Sequence, residues 1–281
     1  MKTWRKRIGA VPTLCWMGVL VGCPLMYILV LSFMTRAPGG AVVYRFTMEN
    51  YARIFDTRNL YMFGVSIGSA VLTSVLALAV GYPFAYFTAR LRKRRRVLVL
   101  LLVMIPFWTS SLLRTYGWIL ILQRDGVLNK VLTAMRLIEE PLRMMPSFGA
   151  VQLVAVYMLL PFMILPIYNA VDRMDKSLPE ASRDLGAKRG QTFWRVTLPL
   201  TMPGIVGGVS LVFISSVGMF FVSDLMGGAK VRLLGNMVRD QFTSSSNLPF
   251  GAALSVVMML GVLVCLGLYA AVSKDSDGGI F

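Results

Sequence analysis

Six long apolar segments recur along the chain, and they constrain its fold more than any other feature of the sequence. An apolar stretch of about 20 residues can cross the hydrocarbon core of a bilayer as an α-helix. Hydrophobic residues make up 56% of the chain, more than a water-soluble fold can bury. The sequence therefore predicts an all-α membrane protein with six transmembrane helices. We place these spans at Val11–Met34, Tyr61–Ala89, Val97–Leu122, Gly149–Val171, Pro203–Val222 and Phe250–Val272.

The Lys and Arg residues are divided unequally between the two sides of these spans. The side that holds both termini has 17 of them, the other side has 11, and Arg114 lies within the third span. Because cytoplasmic loops carry the excess of basic residues, we expect both termini in the cytoplasm. The run Arg90–Arg96 contains six basic residues among seven and is interpreted as a topology anchor beside lipid headgroups. No nucleic-acid partner is expected.

The sequence lacks the residues that many catalytic and metal sites need. There is no histidine, which excludes Ser-His and Cys-His catalysis and His-containing zinc sites. Cys15, Cys23 and Cys265 lie in apolar runs without CxxC spacing, and we interpret them as structural thiols. The chain has no GxxxxGK(S/T) phosphate loop. We therefore expect no catalytic residue, metal or cofactor in this chain, and any ATP it depends on must bind another chain.

The basic N-terminus followed by apolar residues has the pattern of a signal peptide. The apolar region of a signal peptide is shorter than a transmembrane helix. In this chain the apolar run continues to Phe33, and Pro24 directly follows Cys23. We therefore expect an uncleaved first span.

Prolines and glycines interrupt the apolar spans. Proline kinks a membrane helix, and small residues four positions apart let two helices approach closely. Together they predict a packed bundle whose helices move against one another. The prolines are Pro24, Pro83, Pro106, Pro161 and Pro166, and the glycine pairs are Gly18 and Gly22, Gly64 and Gly68, and Gly204 and Gly208.

The longest predicted cytoplasmic loop, residues 172–202, has the pattern of two short helices rather than of a disordered linker. Ser177 or Pro179 can begin a helix, and Glu180 and Asp184 place negative charge in its first turns. Gly186 is positioned to end this helix. A second element begins over Thr192–Val196, and we expect Leu198-Pro199 to stop it before Pro203 opens the fifth span. The pattern predicts a compact projection at the membrane surface.

The same loop resembles the coupling loop of ABC importer permeases. That motif reads E-A-A-x3-G-x9-I-x-L-P, and the loop follows its spacing with serine for the second alanine and valine for isoleucine. The resemblance implies the six-helix type I importer fold, with the first short helix docking on an ATP-binding subunit. The residues it implies for this coupling are Glu180, Ala181, Ser182, Asp184, Gly186, Leu198 and Pro199.

Other segments resemble the spermidine/putrescine branch of this family. These segments are Pro106–Ser110, Leu113–Gly117, Gly126–Asn129, Leu160–Met163, Phe221–Lys230 and Asn247–Ala253. The resemblance implies an inner-membrane permease subunit, not an enzyme, of an ATP-driven importer carrying polyamines into a bacterial cell. Its implied partners are a second permease subunit, two ATP-binding subunits that hold ATP and magnesium, and a periplasmic or extracellular substrate-binding protein.

The resemblance also suggests a division of the chain into two parts. It is weak over the first span and the loop after it, and it covers most of the chain from about residue 60 onward. We expect residues 1–60 to form a basic N-terminal segment, the first transmembrane helix and an outer loop. Residues 61–281 would form the core permease domain, which includes the coupling loop 172–202.

A polyamine site needs carboxylates, aromatic faces and hydroxyls to hold ammonium groups. Arg114 is the only charged residue inside the spans, and it either serves function or extends to the outer surface. It could pair with Asp224 as a gate. The candidate residues for the substrate path are Trp108, Arg114, Tyr116, Trp118, Tyr157 and Asp224. The outer loops carry a net charge of +4, so the polyamine assignment depends on the resemblance and not on charge.

Three alternatives to a polyamine importer remain open from the sequence. An importer of this family could carry another small organic ion, iron or thiamine. A self-contained secondary transporter would need charged relay residues in the middle of the membrane, where only Arg114 is found. An integral membrane enzyme has little support, because the spans contain neither histidine nor a pair of acidic residues.

Overall fold

The structure of the protein is a computed structural model that describes residues 16–37, 39–175, 177–228 and 231–277. It is built of helices, with one short antiparallel hairpin of strands β1 (Thr35–Arg36) and β2 (Val42–Val43). The helices are α1 (Gly18–Ser32), α2 (Glu49–Ile54), α3 (Thr57–Arg90), α4 (Lys93–Trp108), α5 (Ser111–Leu122), α6 (Val127–Ala134), α7 (Phe148–Arg173), α8 (Ser177–Asp184), α9 (Arg189–Val217), α10 (Phe220–Gly227), α11 (Leu234–Thr243) and α12 (Leu248–Asp277). Apart from the hairpin, the predicted all-α class is confirmed.

Four helices in the described part of the chain are long and apolar enough to cross a membrane: α3, α7, α9 and α12. They correspond to the predicted second, fourth, fifth and sixth spans. A fifth crossing is bent, because α4 meets the segment Ser111–Ala134, which contains α5 and α6, at 97°. The predicted first span corresponds to the shorter helix α1, and residues 11–15 of that span lie outside the described residues. The count of six is compatible with these elements.

The third span, predicted over Val97–Leu122 with a kink at Pro106, is a broken helix. Its first half ends in a tight 3-10 turn, Ile105–Trp108, with Pro106 at the start of that turn. Thr109 and Ser110 then have extended ψ angles of 153° and 135° before the next helix begins. Proline and extended backbone both end helical hydrogen bonding, so hydropathy located this span correctly but could not show its change of direction.

The fifth span begins earlier and ends earlier than predicted. Leu198-Pro199 does not stop the second short helix, because a π-helical turn, Phe193–Thr197, joins it to the long helix of α9. Pro199 lies in the first turn of the helical segment after that π-turn, a position where a missing N–H is tolerated. The helix ends at Val217, and residues 218–219 separate it from α10.

The chain divides into two compact units, of which the first contains residues 1–61 and 237–262. In this unit the Asn50 side chain donates hydrogen bonds to the carbonyl oxygens of Ser32 and Met34, at 3.0 and 2.8 Å. The Arg53 guanidinium lies over the Phe250 ring, 4.7 Å from its centroid. These contacts connect α1, α2 and the start of α12. The predicted domain boundary after residue 60 stays a prediction.

The second unit contains residues 62–236 and 263–281, and its largest core lies where α7 packs against α9. At Gly204 a Cβ atom would lie 2.5 Å from the Ala170 Cβ, and at Gly208 one would lie 2.9 Å from the Met163 sulfur. The predicted close approach is therefore confirmed for this glycine pair. For the other two pairs it stays a prediction, since nothing in the described chain lies within 4 Å of a Cβ at Gly18, Gly22, Gly64 or Gly68.

A small polar network is buried between α3 and α7 of the second unit. The Gln152 amide nitrogen donates to the Ser69 hydroxyl at 2.5 Å, and the Thr73 hydroxyl donates to the Gln152 amide oxygen at 2.7 Å. All three residues are buried. Buried polar groups stabilise a fold only when they are paired, so this network holds the two helices in one register.

Candidate functional site

The first short helix of the loop 172–202, α8, starts from a side-chain cap. The Asp175 carboxylate accepts a hydrogen bond from the Ser177 backbone N–H at 2.9 Å. This bond and a further one with the Ser177 side chain hold the pKa of Asp175 below its ordinary value. Glu180 then lies in the first turn of α8, where negative charge suits the helix dipole. The predicted start of this helix is confirmed.

The same helix ends at a glycine, as predicted. Gly186 has a φ of +89°, a left-handed conformation that favours glycine over other residues. The backbone N–H of Gly186 donates to the Arg183 carbonyl at 2.9 Å, and that of Ala187 donates to the Ser182 carbonyl at 3.1 Å. These bonds pair carbonyl groups that the end of a helix otherwise leaves free.

The second short helix begins at Arg189, three residues before the predicted Thr192. The Gln191 side chain accepts the backbone N–H of Lys188 at 2.9 Å, which caps this helix. The Ser182 and Thr192 hydroxyls lie 3.2 Å apart and connect the two short helices. The loop is therefore a folded projection whose shape is fixed by its own hydrogen bonds.

One face of this projection is exposed and mixes charged and apolar side chains. Glu180, Ala181 and Asp184 are exposed, and Leu185 is 89% exposed at the tip. Pro179 on the same helix is buried. The predicted coupling to another subunit requires exposed side chains on this helix and its end, and these residues provide them. We call Glu180, Ala181, Asp184 and Leu185 the docking face.

The structure places the seven predicted coupling residues in two groups. Glu180, Ala181, Ser182, Asp184 and Gly186 belong to α8 and its end, while Leu198 and Pro199 lie in α9 beyond the π-turn. Ser182 and Leu198 are half-buried, so they support the projection, whereas Pro199 is exposed. Leu185 was missed by the sequence reasoning, although its place just before the helix-ending glycine was a usable signal. The coupling role of all seven residues stays a prediction.

Three of the six predicted substrate-path residues come together in the second unit. Arg114 and Tyr157 line an apolar cavity of about 230 Å³ beside the break in the third span. The Tyr157 ring meets the Trp118 ring in an edge-to-face contact with centroids 5.4 Å apart. Trp108 and Tyr116 are 82% and 54% exposed and are not among the residues that line this cavity. The roles of all these candidates stay predictions.

Arg114 contacts an aromatic ring rather than a carboxylate. Its guanidinium carbon lies 5.0 Å from the centroid of Phe107, a distance suited to a cation–π interaction. Its Nε atom is buried and has no hydrogen-bond partner among the described residues. Phe107 and Pro161, which line the same cavity, were not among the predicted site residues. Their position beside Arg114 comes from tertiary packing, which the sequence does not display.

Asp224 lies within α10 and not at the end of the fifth span. Its carboxylate accepts a hydrogen bond from the Asn236 side-chain amide, which also donates to the Phe220 carbonyl at 3.1 Å. Among the described residues Arg114 forms no ion pair, so the hypothetical gate between Arg114 and Asp224 is not found in this structure. Asp224 instead connects α10 to α11 through Asn236.

Several long apolar helices and a folded loop between two of them define the class of the protein: a multi-pass helical membrane protein. Residues 81–277 match the family described as "Binding-protein-dependent transport system inner membrane component". The chain belongs to this family. It is a multi-pass inner-membrane permease of an ABC importer, a transport component and not an enzyme.

Two relatives show how far the similarity extends along the chain. The chain is 42% identical over 259 residues to the spermidine/putrescine transport system permease protein PotB of Escherichia coli (strain K12), covering 92% of this chain and 94% of the relative. It is 32% identical over 276 residues to the inner membrane ABC transporter permease protein YdcU of the same organism, covering 93% and 86%. The similarity to both relatives therefore extends over nearly the whole chain.

Solved structures share the fold at low sequence identity. A chain of a bacterial ABC transporter involved in the import of the acidic polysaccharide alginate superimposes with a TM-score of 0.76 at 15% identity, covering 98% of this chain and 96% of that one. A chain of the MetNI methionine ABC transporter in an inward-facing conformation gives a TM-score of 0.53 at 15% identity, covering 79% and 99%. The predicted importer permease fold is confirmed.

Proposed function

We propose that the protein is the permease subunit of an ATP-driven importer that carries spermidine and putrescine into the cytoplasm. The observation that carries this proposal is the 42% identity, over nearly the whole of both chains, to permeases named for spermidine/putrescine transport. The charge of the outer loops does not support direct capture of a polycation, so delivery by a separate periplasmic binding protein fits the proposal better.

The complete transporter would contain a second permease subunit and two ATP-binding subunits. ATP and magnesium would bind those partner subunits, and this chain would hold no cofactor of its own. Both termini and the loop that carries α8 would lie in the cytoplasm. The folded projection, with its docking face exposed and its base packed, supports α8 as the element that transmits ATPase closure to the spans.

The substrate path would run past the aromatic pair Trp118 and Tyr157. Aromatic faces can hold ammonium groups by cation–π interaction, and a pair of rings provides such faces without a carboxylate. Arg114 and Tyr157 line the same apolar cavity beside the break in the third span, where Arg114 lies over the Phe107 ring. The positive charge of Arg114 would repel a polycation that enters this cavity. Repulsion and aromatic attraction together would favour transient contact over tight binding, as a transport path requires.

Uptake of radiolabelled spermidine and putrescine tests the proposed substrate and energy source. Cells without their own polyamine uptake would express this chain with its partner subunits, and a matched strain would carry partner subunits unable to hydrolyse ATP. We expect uptake only in the first strain. Uptake that persists with the inactive partners would refute ATP coupling. ATP-dependent uptake of a different solute, without uptake of spermidine or putrescine, would refute the polyamine assignment and leave ATP coupling intact.

Charge reversal on the docking face tests the proposed coupling. Glu180→Arg should reduce both co-purification of the ATP-binding subunits and uptake by at least roughly tenfold, because it places a cation in a contact that suits an anion. Glu140→Arg, which reverses an exposed carboxylate on the opposite predicted side, is the matched control. Wild-type association and uptake in the Glu180 variant would remove α8 from the coupling role.

A further inference from the structure

A cavity with basic walls lies between the end of α3 and the two short helices of the cytoplasmic loop. Its volume is about 330 Å³, at the lower end of the range of small-molecule sites, roughly 300–1,000 Å³. Three elements of the second unit meet there: the last turn of α3, α8 and the start of α9. The lining residues are Tyr86, Arg90, Pro179, Arg183, Arg189, Thr192, Phe193 and Thr197.

Three arginines line this cavity, and no carboxylate is among the described residues that line it. Arg183 uses its Nε to donate to the Pro179 carbonyl at 3.1 Å, which fixes the side chain and leaves its terminal nitrogens available. Arg90 lies over the Tyr86 ring, 4.1 Å from the centroid, and also donates to the Tyr86 hydroxyl. Like charges gathered at one cavity repel, and a bound anion would relieve that repulsion.

None of the three arginines forms an ion pair with a carboxylate in the described chain. The ion pairs recorded there include Arg96–Asp172 and Arg239–Asp240. The floor of the cavity is aromatic and ordered, since the Phe193 ring meets the Tyr86 ring edge-on at 6.3 Å. The cavity thus offers three cationic side chains, two of them held by contacts of their own, beside aromatic rings, which suits an anion with several acceptor oxygens.

The position of the cavity identifies the nearest source of such an anion. Arg90 is the last residue of an apolar helix long enough to cross a membrane, so the cavity lies at one end of a membrane helix. Trp194, next to the lining Phe193, is 68% exposed, and exposed tryptophans are enriched at the level of lipid headgroups. Basic cavities at the cytoplasmic ends of membrane helices suit the phosphates of anionic lipids.

We propose that this cavity binds the phosphate headgroup of an anionic phospholipid and that Arg90, Arg183 and Arg189 hold it. The bound phosphate connects the end of α3 to both short helices, so it fixes the projection against the span. This inference does not depend on the polyamine assignment.

The test measures retention of phosphatidylglycerol by the full chain purified with its partner subunits. The complex is stripped of lipid, titrated with phosphatidylglycerol and analysed by native mass spectrometry, with phosphatidylcholine in a parallel titration. In the double variant Arg183→Gln/Arg189→Gln we expect roughly 10- to 30-fold weaker binding of one phosphatidylglycerol molecule, at about 1 kcal/mol per arginine near the surface. Phosphatidylcholine binding should not change.

The double variant Arg173→Gln/Arg195→Gln is the matched control. It removes the same charge from exposed positions of the same region that do not line the cavity. An equal loss in this control would overturn the proposal, because general attraction to basic loops would then account for the binding. If the first variant does not purify as an intact complex, Arg183→Lys/Arg189→Lys replaces it. That variant keeps the charge but loses the planar two-donor contact, so weaker binding is again expected and unchanged binding overturns the proposal.

Two further arms distinguish other occupants of the cavity. Displacement of the lipid by millimolar inorganic phosphate would assign the cavity to a soluble phosphate compound and overturn the lipid proposal. Retention by the isolated chain but not by the complete complex would show that a partner subunit fills the cavity, and this also overturns it. Retention in both forms, resistant to phosphate, supports the proposal.

Discussion

Gly204 is the residue where α7 and α9 approach most tightly. An added Cβ would lie 2.5 Å from the Ala170 Cβ and 2.7 Å from the Pro166 carbonyl, so a helix must shift to admit it. We expect Gly204→Ala to destabilise the protein by about 1–3 kcal/mol through overpacking, and Gly204→Val to do so more strongly. Thermal unfolding of the purified protein in detergent measures this loss.

Gly68→Ala on α3 is the matched control for that substitution. Gly68 also lies within a membrane-spanning helix, but nothing in the described chain lies within 4 Å of the position that an added Cβ would take. We expect it to leave the unfolding temperature unchanged or raise it slightly, since alanine favours helix more than glycine does. Equal destabilisation by both substitutions would contradict the close approach at Gly204.

The cap at Asp175 predicts a pH dependence of the start of α8. The pKa of Asp175 is lowered in the folded protein by its hydrogen bonds to Ser177. The cap therefore contributes stability above the ordinary carboxyl pKa of about 4 and loses it as pH falls through the lowered value. We expect Asp175→Ala to speed hydrogen exchange over residues 177–184 near neutral pH, and the difference from wild type to vanish in acid.

Asp184→Ala provides the comparison for this pH effect. Asp184 is an exposed carboxylate on the same helix, and no backbone N–H in the described chain donates to it. Hydrogen exchange measured by mass spectrometry, taken as a ratio of variant to wild type at each pH, removes the intrinsic pH dependence of exchange. An Asp175→Ala ratio that stays constant across the acid range would contradict the capping role.

At the scale of an element, α8 depends on the left-handed residue that ends it. Because nothing in the described chain lies within 4 Å of a Cβ at Gly186, substitution there acts through the backbone alone. Gly186→Val should cost about 1–2 kcal/mol, and Gly186→Asn should cost less because asparagine adopts this conformation more readily. Gly190→Ala, in open space and without a positive φ, should have little effect.

Trypsin cleavage at Arg183 and Lys188 measures the consequence of these substitutions. Fraying of the end of α8 should expose both bonds, so the Val variant should be cut faster than the Asn variant, and the Asn variant faster than wild type. We also expect uptake to decline in the same order. A Val variant as resistant as the Gly190→Ala control would show that the end of α8 does not require this conformation.

Elements with local signals were predictable, and elements set by backbone direction were not. The start and end of α8 follow from a capping residue and a glycine, which act within a few positions of one another. A kink at Pro106 was predicted, but its sharp angle was not, because hydropathy reports composition and not direction. The continuation of α9 past Pro199 was not predicted. Proline usually stops a helix, but here it lies in the first turn after a π-turn, where its missing N–H is tolerated.

The candidate site was predictable to a smaller extent than the fold. The docking face follows from motif spacing, since its residues are neighbours in the chain. The cavity around Arg114 requires four separate helical segments to meet, and no pattern in the sequence shows that Phe107 rather than Asp224 contacts this arginine. The basic cavity likewise joins Arg90 to residues almost a hundred positions away.

At the scale of the whole molecule, the excess of basic residues on one side predicts the orientation in the membrane. Single cysteines introduced as Lys93→Cys and Ser244→Cys report the two sides of the membrane. Lys93 is in the basic run, Ser244 is in a loop predicted on the other side, and both positions are exposed. With Cys15, Cys23 and Cys265 replaced by serine, a membrane-impermeant maleimide should label residue 244 in intact cells. Residue 93 should react only after permeabilisation. The reverse pattern would place the termini outside and contradict the coupling proposal as well.

The length of α3 sets a relation between this protein and the thickness of its membrane. With 34 residues the helix is about 51 Å long, against about 30 Å of hydrocarbon. It must therefore tilt strongly or extend beyond the bilayer core, and any change in its tilt alters how much apolar surface meets lipid or water. Mismatch of this kind costs a fraction of a kcal/mol per ångström. Bilayer thickness is consequently a variable in the balance between conformations, and lipids of different chain length shift that balance without touching a binding site.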